Sequence, residues 1–132
     1  MERSNTTRIL LVDDGRQLRN VLRIALKGGG YDCVEAQDGW EARDMLTTGQ
    51  MVDLIITDHQ MPRMTGLELV KWVRSQSTIS GTPVILYSGQ MADDLNLQAE
   101  QAGSTAVLTK PFLLQDLLTI IPHLLSPSRG SS

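Results

Sequence analysis

Ile9-Leu10-Leu11-Val12-Asp13-Asp14 changes character in one step, from an unbroken apolar run to a pair of carboxylates. The apolar part is too short for a helix and holds no polar residue, so it reads as a central strand buried on both faces. The segment after it has a different period. Leu18, Val21, Leu22, Ala25 and Leu26 recur at i, i+3, i+4, i+7 and i+8, which is one stripe of a helix, while Arg19, Asn20, Arg23 and Lys27 take the other face. Gly28-Gly29-Gly30 stops that helix, because glycine accepts the left-handed conformation of a helix terminus.

The same alternation continues to the end of the chain. Tyr31 to Glu35 is a weaker strand suited to a sheet edge, and Asp38-Gly39 leads into a short helix with Ala42, Met45 and Leu46 inward. Val52 to Thr57 holds a third strand, Asp58 follows it, and Pro62 forbids regular continuation. Leu69, Val70 and Val73 give helical spacing to Gly66 through Ser75, and Pro83 opens a fourth strand, Val84 to Tyr87, where its missing N–H costs least. A polar helix is expected over about Asp93 to Ala102 and a fifth strand over Thr105 to Leu108. Leu113, Leu114, Leu117, Leu118 and Ile121 mark a last helix that Pro122 should kink or end. Five strands alternating with five helices predict an α/β fold, a parallel sheet covered on both faces.

With 132 residues, 41% of them hydrophobic, the chain suits one domain over 8–125, preceded by a disordered or extended stretch, 1–7. Residues 126–132 are rich in Ser, Pro and Gly and suit a flexible tail or the start of a linker. A net charge of −3 offers no basic patch and 4% aromatics offer no stacking surface, so direct nucleic-acid contact is not expected. Cys33 is the lone cysteine and cannot form an internal disulfide, which fits a reducing compartment. No apolar run is long enough to span a bilayer, and Met1 to Arg8 lacks the pattern of a signal peptide; the expectation is a cytoplasmic protein without membrane contact.

Right-handed crossovers bring the carboxyl ends of parallel strands to one edge, where ligands of open α/β sheets bind. Asp13 and Asp14 follow the first strand, Asp58 the third, Ser88 the fourth and Lys110 the fifth. Singly, each is an ordinary turn, cap or surface residue. Together, three carboxylates crowded at one edge repel one another and call for a cation. A small, incomplete, all-oxygen ligand set points to Mg²⁺ that keeps some waters and shares a phosphate, with Lys110 as a point charge for phosphoryl oxygens. The Lys110-Pro111 bond is a candidate for the cis isomer that would aim the lysine inward.

These residues, at these spacings, resemble the receiver domain of two-component response regulators. The motifs that carry the resemblance are Ile9 through Asp14; Gly30-Tyr31-Asp32 with Ala36-Gln37-Asp38-Gly39; Thr57-Asp58-His59-Gln60-Met61-Pro62 with Gly66-Leu67-Glu68-Leu69; Val84 through Gly89; and Thr109-Lys110-Pro111-Phe112. The resemblance covers about Arg8 to Leu125. It implies a flavodoxin-like, doubly wound, five-stranded sheet of order 2-1-3-4-5 with five helices. It also implies that Asp58 accepts a phosphoryl group, that Asp13, Asp14, Asp58 and the backbone carbonyl of Gln60 hold Mg²⁺, and that Lys110 and Ser88 bind phosphoryl oxygens. The implied donor is a sensor histidine kinase, a phosphotransfer protein or a small phosphodonor. The expected output surface is the face of the fourth helix, fifth strand and fifth helix, acting on a partner, an output domain or a homodimer.

Two residues depart from the family pattern. The aromatic switch position of the fifth strand holds Val107, which has no ring to swing, and Pro122 interrupts the last helix on which the family-typical dimer geometry depends. Tyr87 stands beside Ser88, but strand alternation turns it to the opposite face, so it is a weak substitute. Gln60 and Gln90 flank the acceptor loop and bear on water access. Cys33, Met61, Met64, Trp40 and Trp72 read as packing, and His59 and His123 as exposed residues. A flavin- or nucleotide-binding domain would need a phosphate cradle after the first strand, where two aspartates stand instead. A Mg²⁺ phosphohydrolase would need a cap or substrate pocket that so short a chain does not show, and a pseudo-receiver would not need all five polar residues.

Overall fold

The computed structural model describes residues 6–89, 93–110 and 112–130. Its elements alternate without exception: β1 (Arg8–Val12), α1 (Arg16–Gly28), β2 (Asp32–Ala36), α2 (Gly39–Thr47), β3 (Leu54–Asp58), α3 (Gly66–Ser75), β4 (Val84–Ser88), α4 (Asp93–Ala102), β5 (Ala106–Thr109) and α5 (Leu114–Gly130). The five strands form one parallel sheet in the order β2-β1-β3-β4-β5. The fold class, the element count and the strand order all match expectation.

Strand alternation divides the core into two layers. Leu10, Val12, Ile55 and Leu86 pack with Ala42 and Leu46 of α2, Leu69, Val70 and Val73 of α3 and Ala99 of α4. Ile9, Leu11, Leu54, Ile56, Ile85 and Tyr87 pack on the other side with Leu22 and Leu26 of α1 and Leu117 and Ile121 of α5. Both faces of β1, β3 and β4 are therefore covered, which is why those strands read as unbroken apolar runs. β2, at the edge, is half-buried over most of its length and reads more weakly for the same reason.

Three local expectations need correction. The helical period assigns Val21 to the buried stripe of α1, yet it is 47% exposed, and Leu113 to the last helix, yet it is 65% exposed. Leu113 precedes α5, and its carbonyl accepts from the N–H groups of Asp116 and Leu117, so it opens the helix and does not pack under it. Pro122 does not end α5, which continues to Gly130 and so overlaps the stretch expected to be a tail. Gln90, the Lys110-Pro111 bond, Met1 to Asn5 and the last two residues lie outside the described residues.

The loops carry their own fixings. Thr65 and Glu68 make a reciprocal capping box at the start of α3. Arg74 donates to the carbonyls of Ser80, Thr82 and Gly103, tying the end of α3 to the loops before β4 and β5. Arg43 of α2 lies between the rings of Trp40 and Trp72, 4.7 and 4.8 Å from their centroids, so both tryptophans join α2 to α3. Among the described residues, no helix is long and apolar enough to cross a membrane.

Candidate functional site

The carboxyl ends of β1, β3 and β4 and the residue after β5 converge on one acidic recess. Carboxylate oxygens of Asp13, Asp14 and Asp58 all lie within 4.8 Å of one another. Asp13 and Asp58 are buried and Asp14 is exposed, so the cluster opens to solvent on the Asp14 side. Nζ of Lys110 stands 3.7 Å from Oδ2 of Asp58. Ser88, buried, ends β4, and its carbonyl accepts from the Lys110 N–H at 2.8 Å.

Asp58 and Ser88 are the last residues of their strands, where the sequence pattern places them just beyond. The parallel ladder runs one step further, because the His59 N–H donates to the Tyr87 carbonyl at 2.8 Å and Lys110 N–H to Ser88. Asp58 therefore has a backbone held by the sheet and a carboxylate at its rim. The Gln60 N–H donates to Oδ1 of Asp58 at 3.2 Å. His59 accepts from the Leu67 N–H through Nδ1 at 3.4 Å and takes no part in the acid cluster. Met61 and Met64 are buried loop packing, as expected.

Asp13 is held at every polar atom. Its N–H donates to Ala36 O at 3.1 Å, and its carbonyl accepts from Nη1 of Arg19 at 2.6 Å. Oδ1 accepts from Gly15 N–H at 2.6 Å, and Oδ2 accepts from the hydroxyl of Tyr87. Arg19 is itself braced by Glu35 of β2, at 2.8 Å. The sequence pattern puts Arg19 on the polar face of α1 and Tyr87 on the face opposite Ser88, and neither placement signals a contact with Asp13.

Electrostatics follow from this crowding. Burial raises the Asp58 carboxyl above its ordinary range, and the Asp13 and Asp14 charges add to the rise; the Gln60 N–H and the Lys110 ammonium oppose it. Burial and the Asp13 carboxylate push the Tyr87 phenol far above its ordinary range, which keeps it a donor. An unneutralised cluster of this kind destabilises itself, and its all-oxygen donor set fits a hard divalent cation.

The family comparison agrees with the fold. The family model for the response regulator receiver domain matches residues 9–122. A chemotaxis protein CheY homolog of Campylobacter jejuni is 36% identical over 124 residues, covering 93% of this chain and 95% of its own. Response regulator MprA of a Mycobacterium strain is 36% identical over 126 residues, which is 93% of this chain but 54% of that protein. The structure of chemotaxis protein CheY4 of Vibrio cholerae superposes with a TM-score of 0.85 at 33% identity, covering 91% of this chain and 99% of the other. The chain belongs to the response regulator receiver domains, the regulatory modules of two-component signalling.

Proposed function

We propose that this receiver domain is a phosphoacceptor switch. Asp58 takes a phosphoryl group from a phosphohistidine of a sensor kinase or phosphotransfer protein, or from a small phosphodonor, in a Mg²⁺-dependent reaction. The observation that carries this reading is the placement of the Lys110 ammonium 3.7 Å from one oxygen of a buried carboxylate that also belongs to a three-carboxylate cluster.

Asp13, Asp14, Asp58 and the carbonyl of Gln60 would hold the cation, which when bound supplies positive charge to the phosphoryl oxygens. An Asp58 oxygen forms the new O–P bond while the donor's P–N bond breaks, its electron pair leaving with the imidazole nitrogen. Lys110 neutralises charge on the transferring group, and the Ser88 hydroxyl binds another of its oxygens. The protein has little covalent work beyond Asp58 itself, so alignment and neutralisation decide the rate.

Closure of Ser88 on the phosphoryl group would shift the loop after β4 and, through it, α4, β5 and α5, the face offered to an output partner, domain or second copy. Val107, partly buried against the layer that contains Val84 and Ala99, would transmit this by packing and not by a swinging ring. We assign the domain to the cytoplasm, where kinase and output meet.

Intact-mass measurement after incubation with Mg²⁺ and acetyl phosphate tests the reading. The native chain gains one phosphoryl group and Asp58→Asn gains none. Labelling that persists in Asp58→Asn moves the acceptor elsewhere, and no labelling of the native chain by either acetyl phosphate or a cognate kinase leaves an interaction module.

A further inference from the structure

We propose that Tyr87 is a positioning residue of the acid pocket, orienting Asp13 toward the cation through its hydroxyl and seating the Lys110 ammonium on its ring. This rests on the cation binding proposed above and adds a residue that the polar motif does not contain.

Tyr87 is fully buried, and Asp58 is its register partner on β3. Strand alternation gives the two the same face, so the phenol extends under the acid cluster toward β1. There it donates to Oδ2 of Asp13, while Gly15 N–H holds Oδ1 from the other side. A carboxylate gripped at both oxygens has a fixed plane. With the hydroxyl gone, one grip remains and the Asp13 carboxylate is free to turn about its terminal torsion.

The ring is placed as firmly as the hydroxyl. The Phe112 ring meets it edge-on, with centroids 5.6 Å apart and planes at 62°. Nζ of Lys110 lies 5.1 Å from the Tyr87 centroid, on the way to Asp58. The Tyr87 carbonyl takes the His59 N–H, so the strand segment that carries this phenol also anchors the loop after Asp58. One side chain thus touches the acid of β1 and the lysine after β5, and its backbone touches the loop after β3.

Partners that orient a metal-ligating carboxylate typically change metal affinity by about ten-fold or more when removed. Tyr87→Phe, which deletes only the hydroxyl, is expected to weaken Mg²⁺ binding about ten-fold by titration calorimetry. Its Mg²⁺-dependent thermal stabilisation should move to correspondingly higher Mg²⁺ concentration. Val73→Ala, which truncates a buried side chain of α3 in the layer on the other side of the sheet, should lower the melting temperature and leave the Mg²⁺ affinity unchanged. If Tyr87→Phe lowers the melting temperature at every Mg²⁺ concentration with an unchanged affinity, Tyr87 is packing and the inference fails.

A second measurement keeps Tyr87 intact. In Tyr31→Phe, Tyr87 is the single tyrosine, and its ultraviolet difference spectrum should shift with Mg²⁺ and saturate at the calorimetric dissociation constant. A flat spectrum with Mg²⁺ bound overturns the inference alone. A native chain that binds no Mg²⁺ overturns the cation site as well, so the two failures are distinct.

Discussion

The Lys110 ammonium lies 3.7 Å from Oδ2 of Asp58 even though β4 separates the strands that lead to them. The aliphatic stem crosses that strand while the charged end stays at the rim. Lys110 therefore stands beside the proposed cation site, opposing the cation electrostatically, and in the proposed reaction it also partners a phosphoryl oxygen. These two roles have opposite signs on removal. Lys110→Met should tighten Mg²⁺ binding several-fold, because a like charge has left the neighbourhood. Phosphoryl uptake from acetyl phosphate should fall by about a hundred-fold, the usual consequence of losing a preorganised charge partner of the transition state. Calorimetry and timed mass spectra on one preparation separate the effects; weaker Mg²⁺ binding in the variant would show that the lysine instead organises the cluster.

Asp58 is buried beside two further carboxylates, and burial with their repulsion outweighs the help of Lys110 and the Gln60 N–H. Asp58→Asn keeps the shape and removes the charge. The cation-free variant is expected to be more stable than the native chain at neutral pH, by about 1–2 kcal/mol in urea unfolding. Saturating Mg²⁺ should reverse that order, since the amide no longer offers an anionic oxygen. A variant less stable than the native chain without metal would mean that the Lys110 pair dominates the site.

How far these relationships could be read without coordinates depends on the kind of constraint. Ile9 to Val12 and Leu54 to Ile56 are buried on both faces, so their composition alone marks them as central strands. The acid cluster was accessible because strand direction sends Asp13, Asp14 and Asp58 to one edge whatever the packing. Tyr87 is hidden from the sequence pattern for a specific reason. Alternation does put it opposite Ser88, but the recess lies over the sheet's rim and draws side chains from both faces, so the face of Ser88 was the wrong reference. Arg19 depends on the angle of α1 over β1 and the braced position of Glu35, neither of which has a local signature. Pro122 shows the opposite case, a strong local rule that did not end the helix.

Asp38 caps α2, its carboxylate accepting the Glu41 N–H at 2.8 Å, and it also pairs with Arg63 at 2.7 Å. Arg63 has φ of 70° in the loop after β3, so this pair ties down a left-handed residue in that loop. The Glu41 N–H holds the Asp38 carboxyl below its ordinary range, helped by Arg63 and the Trp40 N–H against burial, which raises it. A depressed value in the folded state means that the stabilisation is present above the unfolded carboxylate range and is lost as pH falls through Asp38's own lower value. Asp38→Ala should therefore cost about 1 kcal/mol at neutral pH, mostly the lost cap, with little from the exposed ion pair. The gap between native and variant should close as the solution is acidified below pH of about 4; a gap that stays constant would assign the loss to packing.

Gly66 begins α3 and donates its N–H to the His59 carbonyl at 3.0 Å, bringing the helix start against the end of β3. A β-carbon there would meet the Asp58 carbonyl oxygen at 2.5 Å and the His59 Cα at 2.8 Å, as well as the Leu86 side chain. The first two are backbone and cannot rotate away, so space and not backbone freedom demands glycine at this position. Gly39 offers a contrast within the same layer, because its β-carbon would meet the side chain of Met64, with the sulfur nearest at 2.6 Å. A thioether adapts more readily than a strand end. Gly66→Ala is expected to lose about 2–3 kcal/mol and to weaken Mg²⁺ binding, since relief of the clash must displace the backbone of Asp58. Gly39→Ala is expected to lose about 1 kcal/mol and to bind Mg²⁺ normally. Urea unfolding and calorimetry of the two variants side by side test this, and equal losses of stability would mean that the end of β3 yields as easily as a methionine.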